Sequence, residues 1–215
     1  MMEIAYLADL VSVSVIAILM AISPGADFVM VTRNSLTHGR SAGLFSSLGI
    51  SAAIWIHVFY SIAGLAFIIS QSIVLFSIIK YLGAFYLLYI GWKTFHSKSS
   101  PLDIDLGNEN ATVKRISNMD AFKIGFITNA LNPKTTLFFL SIFTQFVNQQ
   151  TSLWLQIVYG IIISFAHLAW FSFVSLFFSH PLLLKKFSLH KAKIEKVIGC
   201  ILIALGLKVA TMSQK

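Results

Sequence analysis

The feature that most constrains this chain is a helix breaker and a carboxylate placed inside an apolar run: Ser23-Pro24-Gly25-Ala26-Asp27 interrupts residues 7–31. A plain membrane anchor requires neither. Proline in a helix interior has no amide hydrogen and clashes with the carbonyl four residues earlier, here that of Met20, while Gly25 relaxes the backbone that follows. Lipid offers freed backbone groups no partners. Irregular backbone at membrane depth is therefore tolerated only where it is buried in protein or lines a wet cavity, and an intramembrane Asp27 is a functional candidate by default. A second interruption, Asn129-Ala130-Leu131-Asn132-Pro133-Lys134, lies in the run 124–147, where Pro133 frees the carbonyl of Asn129. Two broken helices, one in each half, point to a transporter.

Of the 215 residues 57% are apolar and only 11% charged, with a mean hydropathy of +0.81. That excludes an ordinary soluble fold and predicts an all-α, polytopic membrane protein. Six apolar runs, 7–31, 43–69, 73–92, 124–147, 153–178 and 197–212, predict six transmembrane helices. Lys80 and Lys208 fall where a long side chain can snorkel to the nearer surface. The net charge of +8 comes from short loops between runs, so it reads as helix orientation and not as nucleic-acid binding. Arg33 and Arg40 lie in the first loop, Lys93, Lys98, Lys114, Arg115 and Lys123 around the third, and Lys185, Lys186, Lys191, Lys193 and Lys196 in the fifth. The second and fourth loops carry no Lys or Arg, which makes the odd loops cytoplasmic and puts both termini outside; if the fifth is instead a membrane-surface helix, its lysines still face the anionic cytoplasmic leaflet. Glu3 and Asp9 replace a signal peptide's basic start, so the first run is read as retained. With Cys200 the single cysteine, no intramolecular disulfide forms.

A polar linker divides the chain into a first three-helix repeat (1–96), a cytoplasmic linker (97–121) and a second three-helix repeat (122–215), together one membrane domain. Lys80-Tyr-Leu-Gly83 matches Lys196-Val-Ile-Gly199, Gly91 and Lys93 match Gly206 and Lys208, and Gly49 with His57 matches Gly160 with His167. Because each half crosses an odd number of times, the two repeats would be inverted, with helices 1 and 4 broken.

Asp27 follows the first break and precedes Arg33 by six residues, about 9 Å below the surface at ~1.5 Å per residue. At that depth a carboxylate costs about 2.5–3.5 kcal/mol and needs a partner, a water-filled cavity or a proton, which makes it a candidate proton carrier. The helix start after Pro24 is a ready anion site, whereas the carbonyls of Met20 and Asn129 and the amides of Asn129 and Asn132 accept from a cation. A zwitterion matches both. Lys134 either pairs with Asp27 or holds an anionic group. His57 and His167 are each satisfied by a neighbouring helix, or together they ligate a haem.

The pieces combine into a resemblance. Ser23 to Asp27, His38-Gly39-Arg40-Ser41-Ala42-Gly43-Leu44, Gly49, His57 and Leu82-Gly83-Ala84-Phe85-Tyr86-Leu87-Leu88-Tyr89-Ile90-Gly91-Trp92 in the first half resemble the LysE/RhtB family of amino-acid exporters. So do Phe122-Lys123-x-Gly125-Phe126-x-x-Asn129-x-Leu131-Asn132-Pro133-Lys134 and Phe138-Phe139 in the second. The resemblance implies a six-span inner-membrane carrier that exports amino acids or close derivatives, in exchange for protons, and is not an enzyme. It marks Pro24, Gly25, Asp27, Asn129, Asn132, Pro133 and Lys134 as substrate-binding or coupling positions, beside His57 and His167 from the residue reading. Ala26 stands where a second proline is usual and Thr144 where the family often has proline, which leaves cavity shape and substrate open. The rivals are a cation transporter of a related fold and a bis-histidine haem module. No cofactor or metal is expected, and homo-oligomerisation is left open.

Overall fold

A computed structural model describes residues 2–97, 116–148, 150–178 and 180–211. Most of the expected linker, 98–115, lies outside the described residues, as does the side chain of Lys208. The described residues form helices and no strand: α1 (Met2–Ile22), α2 (Ala26–His38), α3 (Arg40–Gln71), α4 (Ile73–Phe95), α5 (Asn118–Ala130), α6 (Pro133–Phe146), α7 (Leu153–Phe177) and α8 (Pro181–Thr211). Three of them, α3, α4 and α7, are long and apolar enough to cross a membrane, and α1 with α2 makes a fourth candidate if the bent pair is one span.

The first break falls at residues 23–25 and turns the chain by 55° between α1 and α2. Gly25 there has extended backbone (φ −168°, ψ −164°), which any residue adopts, so proline and not glycine freedom accounts for the break. The second break has a chemical cause beyond proline. Asn132 caps α6 by accepting from the Lys134 amide at 3.0 Å, and Pro133 takes the first helical position, where its missing N–H costs nothing. At 13 and 14 residues, α5 and α6 are each about 20 Å long, too short to cross alone.

Helix α5 starts at Asn118, inside the expected linker, and two boundaries differ more from the sequence expectation. The first run was expected to end at Val31, but helix continues to His38, where Gly39 (φ 94°) turns the chain into α3. Asn34, Ser35 and Thr32 keep that extension buried, Asn34 Nδ2 donating to Ser46 Oγ at 2.9 Å. The basic segment expected as a fifth loop is helical and continuous with the last apolar run in the 31-residue α8. Pro181 starts it, and no glycine or proline follows until Gly199, while lysine and leucine favour helix.

Small residues let the helices approach closely, as van der Waals association in lipid requires. Helices α3 and α5 are parallel: Ser41 bonds Asn118 (3.0 Å), Ser46 bonds the Ala121 carbonyl (3.1 Å) and His57 bonds the Asn129 carbonyl (3.1 Å). Gly49 and Gly125 make their contact, each facing the other helix's backbone. Helices α3 and α7 are antiparallel, with Ser47 beside Ser175 (3.2 Å) and Ser51 beside Ser164 (2.8 Å). So are α4 and α8, since Gly199 lies against Phe95 and Gly206 against Leu88. Helix α1 packs on α7, and α4 also packs on α6. These directions collect the ends of α2, α3, α4, α5 and α8 that carry Arg33, Arg40, Lys93, Lys123 and the α8 lysines at one face, called the basic end below.

Candidate functional site

The two breaks meet. Asp27, the second residue of α2, is only 7% exposed, and its Oδ2 accepts from Asn129 Nδ2 at 2.9 Å and Asn132 Nδ2 at 3.1 Å. Lys134 reaches back across the same junction, its Nζ donating to Ser23 Oγ at 2.8 Å and the Ser23 carbonyl at 2.9 Å. Each break thus satisfies polar groups of the other, which is how irregular backbone survives in hydrocarbon. Of the two options for Lys134, a direct pair with Asp27 is not the one adopted: its Nζ is turned to the carbonyl and hydroxyl of Ser23. Two acceptors remain buried without a partner, Asp27 Oδ1 and Asn129 Oδ1. Buried polar atoms are normally bonded, so an unpartnered pair of acceptors on one junction is a site for a donor.

Its depth follows from His57, the eighteenth of the 32 residues of α3. His57 is fully buried, and its Nε2 lies 3.1 Å from the carbonyl of Asn129, the one Pro133 frees. A carbonyl only accepts, so Nε2 carries the proton and Nδ1 accepts from Tyr60 Oη at 2.7 Å. The ring also stacks on Phe139. His57 is therefore a positioning residue, holding the backbone from which Asn129 reaches Asp27. With both ring nitrogens engaged it is not available as a haem ligand, so the bis-histidine arrangement does not fit. His167, nearly fully buried, donates Nδ1–H to the Ile163 carbonyl at 2.8 Å, which leaves Nε2 with a lone pair.

A small hollow joins these groups, lined by Ser23, Asp27, Asn132, Lys134 and His167 with the apolar Met20, Phe28 and Phe171. Its volume of about 10 Å³ for the centre of a water suits one water molecule and not an amino acid. Phe28 also stacks on Phe187 of α8 (5.2 Å) and meets Phe178 edge-on (6.0 Å), so aromatic rings separate the hollow from the basic end. Pro24 sits within the first break, and a Cβ placed on Gly25 would meet Lys134 Nζ at 3.6 Å, an ordinary contact. Eight of the nine residues singled out in the sequence therefore lie at the junction, and His57 stands behind it. Sequence reading missed Phe28 and Phe171, which look like any lipid-facing aromatic, and Tyr60, which the three-residue step from His57 on one helix face would have found.

The profile of the LysE type translocators matches residues 18–213. The chain belongs to this family. It is a translocator and a membrane protein, not an enzyme. A similar relative is the uncharacterized membrane protein YrhP of Bacillus subtilis (strain 168), 34% identical over 198 residues, 90% of this chain and 94% of that one. The uncharacterized membrane protein YahN of Escherichia coli (strain K12) is 32% identical over 86% of this chain and 82% of its own. A leucine efflux protein of Salmonella typhimurium is 30% identical over 204 residues, 92% of each chain. No solved structure matches this LysE type translocator.

Proposed function

We propose that this translocator exports amino acids by alternating access, from a site where the two breaks meet. The observation that carries the reading is the Asp27 carboxylate clasped by Asn129 and Asn132 from the opposite half, with Lys134 one break away. A zwitterion fits that pattern of charge. Its ammonium group finds the unpartnered Asp27 Oδ1 and Asn129 Oδ1, and its carboxylate finds Lys134 and the amides that open α2. Met20, Phe28 and Phe171 then surround the side chain, which favours an apolar one. The leucine efflux protein of Salmonella typhimurium is a relative consistent with that choice.

The hollow must widen to admit such a substrate, and the architecture supplies a way. Helices α3 and α7 are antiparallel, as are α4 and α8, and the contact of α1 with α7 is matched by that of α5 with α3. These relations support six spans arranged as two inverted repeats, 1–96 and 122–215, that rock about the junction. With the basic end cytoplasmic in a bacterial inner membrane, both termini lie outside. Asp27 is the coupling residue, protonated from outside and deprotonated within. One inward proton at 100 mV supplies roughly 2.3 kcal/mol, on the order of a fifty-fold gradient of a neutral amino acid.

The test feeds dipeptides to cells lacking their own exporters and follows each released amino acid. Leucine and similar apolar amino acids should leave faster with the wild-type translocator than with Asp27→Asn. Equal export by both, at every external pH, would remove Asp27 from the mechanism.

A further inference from the structure

Glu195 is a buried carboxylate that the central junction does not use. It is 6% exposed on α8, within the lysine-rich segment, and its Oε2 has no hydrogen-bond partner. Its other oxygen, Oε1, stands 3.8 Å from Lys191 Nζ, a long pair in which Lys precedes Glu by four residues, the less favourable order on a helix. A half-satisfied buried charge destabilises a fold, so a purely structural role explains it poorly.

Its height in the molecule can be read from the packing. Helix α6 leads into the loop before α7, at the end where α4 begins, so α4 and α6 run in opposite directions. Gly83 of α4 lies against Ser141 and Thr144 of α6. Lys134, seven to ten residues earlier on α6, is therefore about 10–15 Å further toward the basic end, near Gly91. Gly91 in turn faces Gly199 and Ile203 of α8. Glu195 precedes Gly199 by four residues, which puts it one to two turns nearer the basic end than Lys134, yet within electrostatic reach of it. On the same side, Phe28 and Phe187 screen the hollow.

From this placement we propose that Glu195 Oε2 is a second station for the substrate's ammonium group, occupied between the basic end and Asp27. The inference rests on the proposed function. It makes the route from the basic end a relay of two carboxylates, Glu195 and then Asp27, with Lys134 at the Asp27 junction to receive the substrate carboxylate. Lys191 covers one oxygen of Glu195 and leaves the other for the passing cation.

Sided transport tests it. Radiolabelled leucine entry is measured in inside-out vesicles, which present the basic end, and in right-side-out vesicles. Glu195→Gln should raise KM about ten-fold in the first and leave it unchanged in the second, with Glu195→Asp intermediate and thermal stability of the purified variants close to wild type. Equal KM changes in both preparations, or none in either, would overturn the station while leaving the central site standing. A Lys191→Met variant that reproduces the Glu195→Gln pattern would also overturn it, since the ion pair alone would then explain the effect. Should Glu195→Gln fail to fold, the same comparison is read from Glu195→Asp. Wild-type vesicles that move no neutral amino acid overturn the proposed function and this station together.

Discussion

Gly125→Ala is the smallest change that tests whether the α3–α5 contact holds the site. A Cβ on Gly125 would overlap the Ser46 carbonyl oxygen and lie 2.8 Å from its carbon, where ordinary carbon contacts begin near 3.5 Å. The helices must then part by about 0.7 Å to clear the carbon and further to clear the oxygen, and neither obstacle is a side chain that could rotate away, because both belong to backbone. Overpacking of this kind costs about 1–3 kcal/mol. The displacement travels one turn along α5 to Asn129, whose bonds to Asp27 and to His57 are 2.9 and 3.1 Å and have little slack. A misplacement near 1 Å in a binding site costs up to about 100-fold. Gly125→Ala should therefore lower the unfolding temperature in detergent and cut leucine transport ten- to a hundred-fold. Gly49→Ala, which meets Phe122 and Phe126 backbone at the same contact, should do likewise, and the double variant should fall short of additivity because the separation forced by either methyl also makes room for the other. Wild-type stability and transport in Gly125→Ala would refute the packing argument.

Other expectations follow from single contacts. Lys134→Met removes two donors to Ser23 and the carboxylate anchor; at about 1.5–3 kcal/mol per charged hydrogen bond its KM for leucine should rise by roughly 10–150-fold. His57→Phe keeps the ring stacked on Phe139 but removes two hydrogen bonds, to the Asn129 carbonyl, which keeps the Asn132 amide, and to Tyr60; at about 0.5–1.5 kcal/mol each, thermal unfolding should register a loss of about 1–3 kcal/mol. Phe28→Ala empties a fully buried aromatic position between the hollow and α8, and a destabilisation of about 3–5 kcal/mol should accompany leakier leucine exchange in vesicles.

The breaks at Pro24 and Pro133 are legible in the sequence because proline inside an apolar run leaves backbone groups that only a partner segment can satisfy. That they satisfy each other, through Asn129, Asn132 and Lys134, follows the same logic, but the choice of Ser23 over Asp27 as the partner of Lys134 does not. It depends on ångström-scale placement that residue types do not encode. The close contacts at Gly49, Gly91, Gly125 and Gly199 show as isolated glycines, and only the assembled helices reveal which backbones they admit. Charge misled at α8: a run of lysines looks like a loop, yet lysine is a good helix former, and the one acid inside that run, Glu195, turns inward. Aromatic residues are opaque for the opposite reason, since Phe28 facing the hollow and Phe59 on the outside have the same chemistry.

The central claim is that Asp27 and Asn129, from opposite halves of the chain, act as one unit, and exchanging them tests it most directly. Leucine counterflow in proteoliposomes is measured for Asp27→Asn, Asn129→Asp and the double variant. The first lacks the buried carboxylate and the second sets two acids against each other at hydrogen-bond distance, so each should lose most of its activity, whereas the double variant restores one acid and one amide and should recover at least a tenth of the wild-type rate. A double variant as inactive as the product of the two single losses would contradict the account.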